Sequence, residues 1–178
     1  MPPRAPQRRR LYLLRHAKST WDDPARSDFD RPLNKRGRRA ASAVGSLLAR
    51  RGPRPELALC SAAARAQETW RRLAAELPEE PPVRLLRSLY LAAPSRILDR
   101  IRAVEESVAT LLLIGHSPGI ETLAISLAGP GSEPEALARI SEKYPTAALA
   151  GFEIEGPWAG IAAGRGRLVE FVVPKELG

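Results

Sequence analysis

The chain has 178 residues, 44% hydrophobic and 27% charged, a makeup that fits one globular domain with a full core. No apolar run approaches the ~18 residues of a membrane span, and the run before Arg15 falls short of a secretory h-region, so a cytoplasmic protein without membrane contact is expected. The net charge of +8 raises nucleic-acid binding, yet Arg4, Arg8, Arg9 and Arg10 supply half of it, the other arginines are scattered, and 5% aromatic content leaves few stacking platforms; no nucleic-acid partner is expected.

Residues 1–10 read as a disordered basic tail and 11–178 as a single domain. "LYLLRHA" (11–17) is a buried strand, an apolar run closed by a charge. Asn34 and Gly37 lead into a helix whose apolar face is Ala40, Val44, Leu47 and Leu48, stopped by Gly52. "LALC" (57–60) is the second strand, and Ser61 is placed to cap the next helix, with Ala66, Trp70, Leu73, Ala74 and Leu77 inward. "PPVRLL" is a short third strand. "SRILDRIRAVEES" follows as a helix with Ile97, Leu98, Ile101 and Val104 inward. "TLLLIGHSPG" is the clearest strand and precedes a helix carrying Ile120, Leu123, Ala124 and Leu127. Residues 129–135 are a loop, and "AALAGFEIE" and "GRLVEFVV" close the chain as strands. Such alternation predicts an α/β fold, a three-layer α/β/α sandwich on a mostly parallel sheet, with an antiparallel portion from the last strands.

The chain contains two histidines, His16 and His116, each just after an apolar strand. Ligands of such sheets bind outside the carboxyl ends of the strands, so both histidines are expected in one site. Arg15, Ser19 and Arg65 fall at the same edge. Guanidiniums and imidazoles with few carboxylates describe a pocket for a compact, multiply charged anion, and phosphate fits best. The helix starts after Cys60 and after Gly115-His116 would add N–H donors. With one cysteine and no HxxxH or HxH spacing, neither a disulfide nor a zinc site is supported, and no metal or cofactor is expected. Cys60 and Arg65 stand one residue short of the Cys-x5-Arg spacing of cysteine phosphatases, and Cys60 reads as a buried small hydrophobe. Arg31, Lys35 and Arg36 read as charged loop surface. Trp70 is core, and Trp21 is placed at the pocket rim.

These motifs resemble the histidine phosphatase, or phosphoglycerate mutase-like, superfamily. Its Arg-His-Gly stands here as Arg15-His16-Ala17, its Ser-x-x-x-Arg-Ala-x-x-Thr as Ser61, Arg65, Ala66 and Thr69, and its Gly-His as Gly115-His116. "RHAKSTW", "DRPLNKRG", "GHSPGIE" and "YPTAALA" resemble the SixA-like phosphohistidine phosphatase branch, over most of the chain from Leu11 to Pro174. The resemblance implies that His16 is the nucleophile, Arg15 and Arg65 clamp the phosphoryl oxygens, and His116 donates to the transferred group as an imidazolium. It places Ser19 and Asp22 around the pocket, with Asp22 where many relatives carry Asn. Ala17 replaces the usual Gly and is harmless unless the position needs positive φ.

Superfamily members acting on alcohol phosphates usually supply a carboxylic acid after the second motif. Residues 83–98 hold no Asp or Glu. Imidazole leaves more readily than an alkoxide, so a phosphohistidine has less need of that acid. Asp22, Asp23, Asp28 and Glu121 are the remaining candidates, Glu121 foremost. The expected protein is therefore a monomeric phosphatase acting on a phosphorylated protein or a small phosphorylated substrate. The alternatives are a general phosphomonoesterase and a non-catalytic phosphate or nucleic-acid binder.

Overall fold

The computed structural model describes residues 7–177. Its centre is a six-stranded sheet in the order β3-β2-β4-β1-β5-β6. These strands are β1 (Arg8–Arg15), β2 (Leu57–Ser61), β3 (Val83–Leu86), β4 (Thr110–Gly115), β5 (Leu149–Glu155) and β6 (Gly166–Val172). β1 to β4 run parallel, while β5 is antiparallel to both β1 and β6.

β2, β4 and β1 from Leu11 to Leu14 are buried on both sides because both faces of the sheet centre are covered. Leu11 and Leu13 of β1 and Leu111 and Leu113 of β4 pack toward α3 (Pro94–Arg102), α4 (Gly119–Leu127) and α5 (Pro134–Glu142). Tyr12, Leu14, Leu112 and Ile114 alternate with them and pack against α1 (Lys35–Arg51) and α2 (Ala64–Ala74). The result is the expected α/β/α sandwich. β1 and β4 are neighbours, and the chain leaves them toward opposite faces, through α1 and α4. A crevice therefore opens at their carboxyl ends.

Three expectations need correction. The basic tail expected over 1–10 does not include Arg8–Arg10, which belong to β1 because β5 is long enough to pair with them. Arg9 is buried there, with Glu106 Oε2 2.7 Å from its guanidinium and the Trp158 ring beneath it; residues 1–6 lie outside the described residues. Ser61 does not cap α2: Ala63 holds that position without a side-chain bond. The loop at 129–135 gives way to α5 at Pro134, a helix that carries only Ala136 and Ile140 as buried residues and so shows a short apolar pattern. Among the described residues no helix is long and apolar enough to cross a membrane.

Candidate active site

The carboxyl ends of β1 and β4 deliver Arg15-His16 and His116-Ser117 to one cleft of about 480 Å³, and the turn after β2 adds Arg65 from the start of α2. The His16 and His116 rings face each other there, centroids 5.1 Å apart and planes tilted by 54°.

His16 has a hydrogen-bond partner at both ring nitrogens and His116 at one. His16 Nδ1 lies 2.7 Å from the Ala17 carbonyl oxygen, which can only accept, so Nδ1 carries the ring proton. The lone pair is then on Nε2, to which Arg65 Nε donates at 3.3 Å. Burial drives the His16 pKa down to about 4; the Ala17 carbonyl opposes this, and Arg65, Arg15 and Arg31 add to it. The ring is neutral at pH 7, and a neutral imidazole is the nucleophilic form.

His116 Nε2 lies 2.7 Å from Ser61 Oγ. Burial, then His16 and Arg65, push the His116 pKa down to about 3. The expected imidazolium is thus corrected to a neutral ring in the free protein. Ser61 Oγ accepts from the Ala63 amide at 3.3 Å, and His116 Nε2 is the one acceptor for its hydrogen among the described residues; that pairing puts the ring proton on Nδ1.

A guanidinium-carboxylate network frames the imidazoles. Arg65 donates to the Asp28 backbone oxygen at 2.7 Å and to Asp28 Oδ2 at 3.1 Å. The Tyr90 hydroxyl also donates to Oδ2, and Arg31 Nε donates to Oδ1 at 3.1 Å. The Tyr90 hydrogen bond, reinforced by Arg31 and Arg65, holds Asp28 down at about 2. Arg31 is not loop surface, as the sequence reading had it. It is 7% exposed, donates to Ser19 Oγ, and lies 3.5 Å over the exposed Trp21 ring at the cleft rim. Arg31, Tyr90 and Ser117 are the site residues that sequence reasoning missed, and Asp28 entered it only as one of four candidate acids. For Arg31 a signal existed in "DRPLNKRG", a motif without an assigned task.

The structure gives that motif and "YPTAALA" their tasks. Asn34 Oδ1 accepts from the Gly37 amide at 2.8 Å and caps α1. A Cβ on Gly37 would lie 2.1 Å from the Lys18 carbonyl oxygen, so only glycine lets α1 start against the loop after His16. Behind the site, Tyr144 donates from its hydroxyl to the Leu13 oxygen at 2.6 Å, and its own carbonyl accepts from Arg15 at 2.8 Å. The Ala147 amide, in left-handed backbone at φ 59°, donates to the Arg15 and His16 carbonyls at 3.0 and 3.1 Å. Thr69 joins the first two motifs: its Oγ1 accepts from the Ala17 amide at 3.0 Å and donates to the Arg65 carbonyl at 2.7 Å. Ala17 does not adopt positive φ, so its methyl group is tolerated.

The cleft is cationic, with Arg15, Lys18, Arg31 and Arg65 against, among the described residues, the single carboxylate of Asp28. Arg15 Nε, His116 Nδ1 and Ser117 Oγ are buried polar atoms without a hydrogen-bond partner among the described residues. Leaving buried donors unmet is costly, and these belong to three cleft-lining residues. An anion with several acceptor oxygens is the chemical complement of such a set.

Ser19 lines this cleft, whereas Asp22 and Glu121 do not. Asp22 is exposed, and Glu121, in the first turn of α4, acts on Arg15 only through its charge. Burial pushes the Cys60 thiol up, and the side chain packs in the core beneath α1 and α2. Among the described residues no cluster of His, Cys, Asp and Glu could hold a metal ion.

Fold and cleft together define an α/β phosphotransfer protein with a histidine at its centre, and comparison with known proteins agrees. The model of the histidine phosphatase superfamily (branch 1) matches residues 11–89. A protein assigned as phosphohistidine phosphatase SixA from Agrobacterium tumefaciens superposes with a TM-score of 0.79 at 32% identity, over 93% of this chain and 98% of that one. Its counterpart from Nakamurella multipartitia superposes at 0.83 with 29% identity, over 94% and 96%. The uncharacterized Rv1276c of Mycobacterium tuberculosis is 40% identical over 163 residues, 91% of this chain and all of its own. The chain belongs to the histidine phosphatase superfamily, in its SixA-like branch, and is a histidine-nucleophile phosphatase.

Proposed function

We propose that this protein hydrolyses phosphohistidine, or a phosphoramidate of similar leaving ability, through a covalent phosphohistidine on His16. The observation that carries the reading is the state of Asp28. Among the described residues it is the one carboxylate lining the cleft, and the hydrogen bonds it accepts from Tyr90, Arg31 and Arg65 keep it ionised, with a pKa of about 2. At neutral pH it has no proton to give, so the site is poor in the acid an alkoxide needs.

In the proposed sequence, His16 Nε2 attacks phosphorus as the bond to the leaving nitrogen breaks. A phosphorylated imidazole can carry a proton on its far nitrogen, so it leaves as neutral imidazole without help from the protein. Arg15, Arg65 and the His116 Nδ1–H spread the charge of the equatorial oxygens, with Arg31 and Ser117 at the cleft edge. Water then attacks the phosphoryl group on His16, the N–P bond breaks, and its electron pair returns to Nε2. The SixA assignments of the two structural relatives support the same substrate.

The test is kcat/KM across leaving groups. A phosphohistidine peptide should exceed the matching phosphoserine peptide by on the order of 10² or more, the scale of a missing general acid. Equal values would reject the reading in favour of a general phosphomonoesterase.

A further inference from the structure

A second groove, about 530 Å³ in volume, opens beside the cleft, and Lys18 and Thr146 line both. Its charged residues are Lys18, Arg36, Arg139, Lys143 and Lys175 against Glu142 and Glu176. Arg139 is spent internally: it pairs with Glu176 and donates to the Phe171 carbonyl at 3.1 Å. Lys18, Arg36, Lys143 and Lys175 are exposed and form no ion pair among the described residues. They come from four places in the fold: the loop after His16, the start of α1, the end of α5 and the C-terminal turn at 174–176.

Nothing in the phosphoryl-transfer steps uses these cations. Ala40, Pro145, Phe171 and Val173 add apolar wall to the same groove. Several unpaired cations from different elements, set in a lining that also holds apolar side chains, complement a chain carrying both carboxylates and apolar groups. We infer that this groove binds an acidic polypeptide segment flanking the phosphorylated residue of a protein substrate, with Lys18 and Thr146 marking where that segment leaves the cleft. The inference rests on a protein substrate, and it deepens the phosphohistidine reading by naming what the enzyme recognises besides the phosphoryl group.

Two peptide pairs test it, each pair of equal length and differing only in Glu or Gln at the flanking positions. One pair carries phosphohistidine and the other phosphotyrosine. The Glu-to-Gln ratio of kcat/KM reads the groove, and the phosphohistidine-to-phosphotyrosine ratio reads the leaving group, so the two ideas fail separately. For any peptide turned over too slowly, the same ratio is read as Ki against nitrophenyl phosphate. The wild type should prefer the Glu peptides by about tenfold at low salt, falling toward unity at high salt, as screened surface pairs do. In the triple variant Arg36→Gln, Lys143→Gln, Lys175→Gln the preference should vanish, while kcat/KM for nitrophenyl phosphate stays within about twofold, since none of the three lines the cleft. No preference in the wild type, or one that survives the triple variant, overturns the inference. So does pyrophosphate competing as well as the Glu peptide with the same loss in the variant, which would assign the groove to compact polyanions.

Discussion

Ser61 Oγ sits 2.7 Å from His116 Nε2 and thereby decides which nitrogen of that ring carries its proton. A neutral imidazole has one N–H. With Nε2 accepting from Ser61, the N–H is at Nδ1, which has no partner among the described residues. Ser61→Ala removes that bias without touching the cleft, which Ser61 does not line. Turnover should fall by on the order of 10- to 100-fold, as when the partner that orients a functional histidine is lost. The ring ¹⁵N shifts of His116 should move from the Nδ1–H toward the Nε2–H tautomer. Unchanged shifts and full activity would reject this role for Ser61.

The hydrogen bond from His16 Nδ1 to the Ala17 carbonyl leaves the ring lone pair on Nε2, beside Arg65 Nε, as the attacking one. Protein quenched during turnover should therefore carry an acid-labile, base-stable phosphoryl group on Nε2 of His16. His16→Ala should abolish turnover and keep the fold, because the ring lines the cleft at the end of β1. Label recovered on Cys60 would contradict the assignment.

Two histidines in the chain make proton NMR a direct reading of their charge. Both rings should stay neutral through pH 7 and begin to titrate only below about pH 5, with values near 4 for His16 and 3 for His116. Their ordinary value is 6.5, so between that and the folded values the unfolded chain binds more protons than the folded one. Stability is therefore complete above about 6.5 and falls as pH drops toward 4 and then 3. Asp28 adds to the loss below its ordinary 3.8, on the way to about 2. A histidine titrating near 6.5 in the folded protein would show the burial argument to be wrong.

Arg31 and Arg36 sit close in sequence and differ in fate. Arg31→Ala removes a cation from the cleft together with one anchor of Asp28 and should reduce kcat/KM on the order of 10-fold or more. Arg15→Ala and Arg65→Ala, which remove guanidiniums beside His16, should each cost on the order of 10². Arg36→Ala should leave nitrophenyl phosphate turnover unchanged. Equal effects of Arg31→Ala and Arg36→Ala would return Arg31 to the loop surface.

Asp28→Asn separates an anchoring carboxylate from an acid. If Asp28 only fixes Arg65 and Arg31, the substitution should lower kcat/KM for aryl and alkyl phosphates by a similar factor. A loss confined to alkyl phosphates would make Asp28 the proton donor and weaken the phosphohistidine reading.

Local pattern alone determined much of this protein. Apolar runs ending in Arg15-His16 and Gly115-His116, helices with one greasy face, and the order of the elements implied a parallel sheet and placed both histidines at one edge. Those signals are periodic in sequence and follow from burying apolar surface on both sides of a strand. Pairings between distant segments were not legible. Arg8–Arg10 looked like a free tail until β5 supplied a partner strand, and Ser61 looked like a helix cap until β4 brought His116 beside it. Arg31 looked like solvated surface until Asp28, Ser19 and Trp21 closed around it. The same enclosure decided the charge of both imidazoles, because desolvation depends on what surrounds a ring in space rather than on its neighbours in the chain.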